Sequence, residues 1–180
     1  MILLTTSRRP TRRIRTFCND LERSIPDTLK VNRGKMSLQE LAEHTVGRGQ
    51  DRIIVVDRWK SGPGSVRLYR ISQGRLVQVR PQIHIGGMKV QRELGEKAKK
   101  VGSLVIARNP DEPSPEISRL SEALSDFLNV PVMKIDEASL NCEAVMQVYR
   151  SKPESLNLSF FLFPSMVEIG PHVTIAGLVW

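Results

Sequence analysis

Apolar residues in the first half of the chain recur at two spacings, and the changes from one to the other mark out its elements. Residues 2–5 are an apolar run of strand length. Ile14, Phe17, Cys18, Leu21 and Ile25 then fall on one helical face, with Pro10 and Thr11 opening the helix and Pro26 ending it. Residues 29–32 read as a second short strand before the turn Arg33-Gly34-Lys35. Ser37 and Glu40 have the spacing of a capping box. Leu38, Leu41, Ala42 and Val46 supply the apolar face behind it, and Gly47 closes that helix. Residues 53–56 are uninterruptedly apolar, as in a strand covered on both faces. After the turn at 61–64, period two takes over. Residues 65–71, 76–80 and 82–85 alternate as strands with one polar face.

The second half is a looser echo of the first. Residues 91–101 are expected to form a basic helix exposing Lys97, Lys99 and Lys100, and 104–107 a short apolar strand. A Pro-rich turn leads to Ser114, a helix cap with Pro115 at the first helical position. Ile117, Leu120, Leu124, Phe127 and Leu128 then repeat the apolar face of the first helix. A strand at 132–135, a helix near 138–150 and a β-hairpin over 157–180 complete the expected order. The pattern predicts an α/β chain, of α+β type, in two halves that meet between residues 80 and 100. No stretch of sequence repeats identically.

Charge divides further along the chain, near residue 108. Residues 1–108 carry 23 Lys and Arg against 9 Asp and Glu, and the remainder carries 4 against 10, for a net +8 overall. A basic front and an acidic back point to a polyanionic partner for one surface. Arginines outnumber lysines 18 to 9. The guanidinium fork suits phosphate oxygens and stacks on bases. Arg12, Arg15 and Asn19 lie on the polar face of the first helix, and Arg8, Arg9 and Arg13 crowd its start. Cations oppose the helix dipole there, and a bound anion would reverse that cost.

Other chemistry finds little support. Cys18 and Cys142 stand alone, without the spacing of a zinc site, and read as buried thiols. His44, His84 and His172 are scattered. There is no phosphate-binding Gly-Lys loop and no nucleophile elbow. Gly47-Arg48-Gly49 precedes a strand where a dinucleotide fingerprint would follow one. Nothing assembles a nucleophile, a base and an orienting group, so a non-enzymatic protein with no cofactor and no metal is expected. No apolar run approaches the ~20 residues of a membrane span. The apolar start is too short for a signal peptide, so a cytoplasmic protein without membrane association is expected. Aromatic content is 5%. Phe17, Phe127, Phe160, Phe161 and Phe163 fall on apolar faces. Trp59, between Arg58 and Lys60 at a turn, is the one aromatic placed to stack on a base.

The run Ile2-Leu3-Leu4-Thr5-Thr6-Ser7-Arg8-Arg9-Pro10 resembles the opening of Brix-domain proteins, in which an apolar strand runs into Thr-Ser-Arg and a helix. Phe17, Leu21 and Pro26 follow at similar spacing, then the turn Asn32-Arg33-Gly34, Leu38 to Leu41, and the strand at 53–56. The likeness is good over roughly residues 1–71. Later, Gly170-Pro171-His172 is similar to a family motif in which an Arg follows Gly-Pro, and His172 departs from it. The turn from Trp59 to Gly64 departs as well. The chain looks like the compact archaeal version of the domain.

The resemblance implies a single domain over 1–180 with halves of about 1–85 and 86–180, each similar to the anticodon-binding domain of class IIa aminoacyl-tRNA synthetases. It also implies a rRNA-binding or pre-rRNA-binding role in ribosome biogenesis, with ribosomal proteins or other assembly factors as further partners. Arg8, Arg9, Arg12, Arg13 and Arg15 are the expected phosphate contacts, joined by Asn32, Arg33 and Lys35 from the Asn-Arg-Gly turn. Two other classes stay open. A protein-interaction module could dock basic proteins through the acidic half, and a tRNA-binding accessory module would use the same fold.

Overall fold

In a computed structural model of the chain, residues 1–60, 62–95, 100–109, 114–134, 142–151 and 155–180 are described. The first half runs β1 (Ile2–Thr6), α1 (Arg12–Ser24), β2 (Thr28–Lys30), α2 (Leu38–Val46), β3 (Arg52–Trp59), β4 (Gly62–Ser72) and β5 (Arg75–Lys89). The second runs β6 (Leu104–Arg108), α3 (Pro115–Leu128), β7 (Val132–Lys134), β8 (Ala144–Ser151), β9 (Ser155–Leu162), β10 (Val167–Glu168) and β11 (His172–Val179). The strands form one mixed sheet in the order β2-β1-β3-β4-β5-β11-β9-β8-β6-β7, with β10 beside β9. Read from either edge, this order gives two parallel pairings, then antiparallel ones meeting at the β5–β11 seam.

The local signals behave as their chemistry requires. Thr11 caps α1, accepting from the Ile14 amide, and Pro10 lies just outside the helix. Ser37 and Glu40 exchange both bonds of the capping box. Ser114 caps α3 with Pro at the first position. The faces of α1 and α3 lie on the same side of the sheet and share one core. Ile14, Phe17 and Leu21 belong to it together with Leu120, Leu124 and Phe127. The α2 helix packs on the opposite side, where Leu41 meets Leu3, Ile53, Val55 and Tyr69. Strands β1 and β3 are therefore apolar on both faces.

Three stretches differ from the sequence-based expectation. Of the helix expected over 91–101, residues Gln91–Glu93 form a 3-10 turn, and residues 96–99, with Lys97 and Lys99, lie outside the described residues. Glu93 turns back to accept from the Val90 amide and from Arg13, and Gly95 takes a positive φ, outside helical geometry. The helix expected near 138–150 is strand β8 over residues 144–150, the earlier part lying outside the described residues. Val145, Met146, Val148 and Tyr149 fit either period over so short a run. Pairing of Val145 with Phe161 and of Met146 with Phe160 decides for the strand. The strands expected at 76–80 and 82–85 are one strand, β5, bulged against β4 between residues 79 and 83, and a boundary at 85/86 would fall inside it.

The halves are tied across the core side by buried polar bonds. The Gln91 amide donates to Asp20 Oδ2 at 2.9 Å, and the Ser24 hydroxyl donates to the Gly170 carbonyl at 2.6 Å. Burial pushes the Asp20 carboxyl up, opposed by that amide and by Arg23. Cys18 is fully buried and its thiol is pushed up to about 12 by burial, which makes it inert. Cys142 is only half-buried, so the reading of two buried thiols holds for Cys18 alone. Phe160 is core, whereas Phe161 and Phe163 are half-buried on the α2 side.

Candidate nucleic-acid interface

β1 delivers the chain to Ser7, whose amide still bonds the Val56 carbonyl at 2.9 Å, and Arg8 and Arg9 emerge beyond it into solvent. One turn later α1 begins. Its apolar face is committed to the core, so Arg12 and Arg15 are turned outward by helical geometry. The first turn of α1 contains no acidic residue. Arg8, Arg9, Arg12 and Arg15 are all exposed, and none has an ion-pair partner among the described residues. Four cations thus surround a helix N-terminus that carries its own partial positive charge. That arrangement is unfavourable in the free protein and complementary to a polyanion.

The tip of the β3–β4 hairpin extends this surface. Arg58 donates to the Lys60 carbonyl at 2.6 Å and to the Arg9 carbonyl at 3.3 Å, which ties the tip to the segment leading into α1. Arg58, Trp59 and Lys60 are all exposed there. On the other flank Arg13 is occupied. It makes a two-pronged pair with Glu93, at 2.7 and 3.1 Å, and donates to the Met88 carbonyl at 3.1 Å. Arg13 therefore fastens α1 to the end of β5. Lys89 and Arg92, exposed in that same stretch, were not singled out from the sequence, because only the fold brings them to α1.

The Asn32-Arg33-Gly34 turn divides. Asn32 and Lys35 are exposed, and Gly34 has φ +56° with open space where a Cβ would stand. Its requirement is conformational, with no close approach of another group to the backbone. Arg33 is 8% exposed and so lies outside the surface patch, a correction to its expected place among the exposed phosphate contacts. Its Nε donates to the Met36 carbonyl at 3.1 Å and pins the turn. Burial depresses its pKa below the usual arginine range, and Arg8 and Arg67 push the same way while Asp57 opposes them. Arg67 makes a two-pronged pair with Asp57, and Arg70, on the other face of the same strand, bonds Asp126 and its carbonyl at the end of α3. Neither is available to a ligand without losing a partner. His172 is held by Glu168 at 2.7 Å and by Asn157 at 3.3 Å.

In the second half the corresponding cations are spoken for. Arg108 pairs with Glu122, Arg150 with Glu116, and the Arg119 guanidinium lies 3.8 Å from the Trp180 ring centre. Among the described residues no cluster of three or more His, Cys, Asp or Glu side chains could hold a metal. No helix among them is long and apolar enough to cross a membrane.

Among the described residues, fold and surface define a class: a mixed α/β protein built on one large sheet with three α-helices and a cluster of unpaired arginines about the start of α1. Solved structures share this architecture. A crystal structure of a probable ribosomal biogenesis protein from Aeropyrum pernix superposes with a TM-score of 0.83 at 25% identity, covering 99% of this chain and 98% of that one. Mil, an archaeal Imp4-like protein, superposes with a TM-score of 0.70 at 22% identity over the same shares and speaks for the fold alone. No family model matches the chain. Sequence relatives described as probable Brix domain-containing ribosomal biogenesis proteins do. That of Methanopyrus kandleri is 35% identical over 129 residues, 71% of this chain and 66% of the relative. That of Pyrococcus horikoshii is 38% identical over 104 residues, 54% of this chain and 43% of the relative. The matched stretch thus spans less than half the length of the Pyrococcus protein. The chain belongs to the Brix domain-containing ribosomal biogenesis proteins of the archaeal type.

Proposed function

We propose that this protein is a non-enzymatic assembly factor in ribosome biogenesis, acting in the cytoplasm by binding rRNA or its precursor through the basic end of its first half. One observation carries the reading. Arg8, Arg9, Arg12 and Arg15 surround the N-terminus of α1 unpaired among the described residues, while the arginines of β6, α3 and β8 are each taken by an acid or an aromatic ring. A chain tuned only for stability would place acids at that helix start. Lys35 and Arg58 widen the patch, while Arg13 and Arg33 hold its frame. Asn32 is a polar contact at its margin. Ribosomal proteins or other assembly factors would meet the acidic second half. The strand order, the same from both edges, supports an origin by duplication of an α/β unit like the anticodon-binding domain of class IIa synthetases.

The test is RNA affinity against salt for the wild type and for Arg8→Glu/Arg12→Glu/Arg15→Glu. Wild type is expected to bind structured rRNA fragments with a steep salt slope. The triple variant, still folded, should lose on the order of a thousandfold in affinity at about 0.1 M salt, roughly tenfold per phosphate contact, and its slope should fall by roughly 2–3. Equal binding by the two proteins would overturn the site. Wild-type affinity no greater than that of a generic basic protein would overturn the RNA reading in favour of a protein-interaction module. Preference for tRNA over rRNA fragments would replace the substrate.

A further inference from the structure

Trp59 is 70% exposed, more than any other large apolar side chain among the described residues. The second tryptophan, Trp180, is 36% exposed and covered by Arg119. A bare indole of this kind leaves a large apolar face in water and is favoured where a flat partner covers it. Its setting is built. Trp59 pairs with Gly62 and Arg58 with Pro63 across the β3–β4 hairpin, after a bulge that follows Asp57. A Cβ at Gly64 would come within 2.3 Å of the Trp59 Cβ, so the glycine at that position is what lets the tryptophan stem lie flat on the next strand. Arg58, by bonding the carbonyls of Lys60 and Arg9, holds the tip against the arginine patch.

Beside the indole runs an open groove of about 420 Å³, lined by Arg58, Gly64, Ser65, His84, Ile85 and Ala176 as well as Trp59. No carboxylate lines it. Its small residues leave room near the sheet, and Ser65 and His84 offer hydrogen-bonding groups to the edge of a planar ring. Arg58 lines it with positive charge, and Lys60 is exposed next to Trp59 at the hairpin tip. An aromatic face, basic flanks, two polar edges and no acid describe a site for an anionic strand carrying flat heterocycles.

We propose that Trp59 stacks on one unpaired nucleobase of the bound RNA, with the groove toward His84 receiving that nucleotide. The basic end of the protein would then recognise a bulge or a junction next to a duplex, the duplex phosphates lying on Arg8, Arg9, Arg12 and Arg15. This rests on the RNA-binding reading above and adds to it the structural class of RNA. Double-stranded RNA presents no free base face to a side chain, so a stacked tryptophan needs an unpaired base.

The experiment uses the full chain with Trp180→Phe, which leaves Trp59 as the sole tryptophan, and two synthetic RNA hairpins that differ only by one unpaired nucleotide. Emission from Trp59 is expected to be quenched by the bulged hairpin and little changed by the paired one. Trp59→Ala should weaken binding to the bulged hairpin on the order of tenfold and leave the paired one unchanged, with Trp59→Phe in between. If both hairpins bind in an Arg12-dependent manner with no quenching and no loss in Trp59→Ala, stacking is wrong and the phosphate site stands. If neither hairpin binds wild type, the RNA reading itself falls and stacking with it. Quenching by an acidic peptide in place of either RNA would reassign the groove to a protein partner.

Discussion

The helices α1 and α3 occupy equivalent places in the two halves of the sheet. Each crosses from one parallel strand to the next, packs on the same face, and presents a phenylalanine, Phe17 or Phe127, to the shared core. Their N-termini are opposites. In α3 the start is Ser-Pro-Glu, with Glu116 complementing the dipole and paired to Arg150. In α1 the start is Thr-Arg-Arg, with no acid in the first turn and Arg8 and Arg9 just ahead of it. One topology has thus been given a self-satisfied terminus and an unsatisfied one. Since both helices fold by the same apolar face, the electrostatic cost at α1 is not a requirement of the fold, and this is the ground for proposing that an outside anion is held there.

The comparison can be broken at several strengths. The largest expected effect tests the shared core. Phe17→Ala and Phe127→Ala should each cost about 3–5 kcal/mol in denaturant unfolding, since both are wholly buried in one cluster. A large difference between them would show that the halves are not energetically equivalent. Next comes charge reversal in the second half. Arg108→Glu/Arg119→Glu leaves the α1 surface intact and should change RNA affinity by less than about threefold, against the thousandfold loss on the first half. A comparable loss would move the interface. Smaller still is Arg12→Glu alone, which supplies α1 with the acid that α3 already has. It should raise stability by about 0.3–1 kcal/mol at low ionic strength while weakening RNA binding. A variant both less stable and RNA-competent would contradict the dipole account.

The smallest effect concerns the clasp from α1 to β5. The Val90 amide first, and then Arg13, hold the Glu93 carboxyl below the usual carboxylate range. A depressed folded-state pKa adds stability that is present above the unfolded value and lost as pH falls through the folded one. Glu93→Gln should therefore lower Tm by about 1–2 °C near neutral pH, and the difference should vanish in acid. A difference that persists unchanged in acid would show that the carboxylate charge contributes nothing.

Legibility followed the length and cleanness of each local signal. The faces of α1 and α3 and the cap at Ser37 were readable because helical spacing and capping chemistry act within a few residues. The stretch at 144–150 was misread because Val145, Met146 and Tyr149 satisfy a helical face as well as a strand, and a partner 15 or so residues away makes the choice. The candidate site was legible as a density of arginines, while the contacts each of them makes in the fold were not. Sequence lists Arg8, Arg12, Arg13, Arg15 and Arg33 as equals. The fold buries Arg33 beneath the patch, commits Arg13 to Glu93, and brings Arg58 and Trp59 to the same end.

By itself, then, the sequence determined that the chain would be a basic-fronted α/β protein with amphipathic helices and a doubly covered strand. Each of these rests on composition or on periods of a few residues. Only the tertiary structure decided that the eleven described strands form one sheet whose two sides meet at β5–β11, and which of the described arginines are left without acids. Strand order and ion pairing are set by residues distant in sequence. A guanidinium 80 positions from its carboxylate, as Arg13 is from Glu93, carries no local trace of that partner.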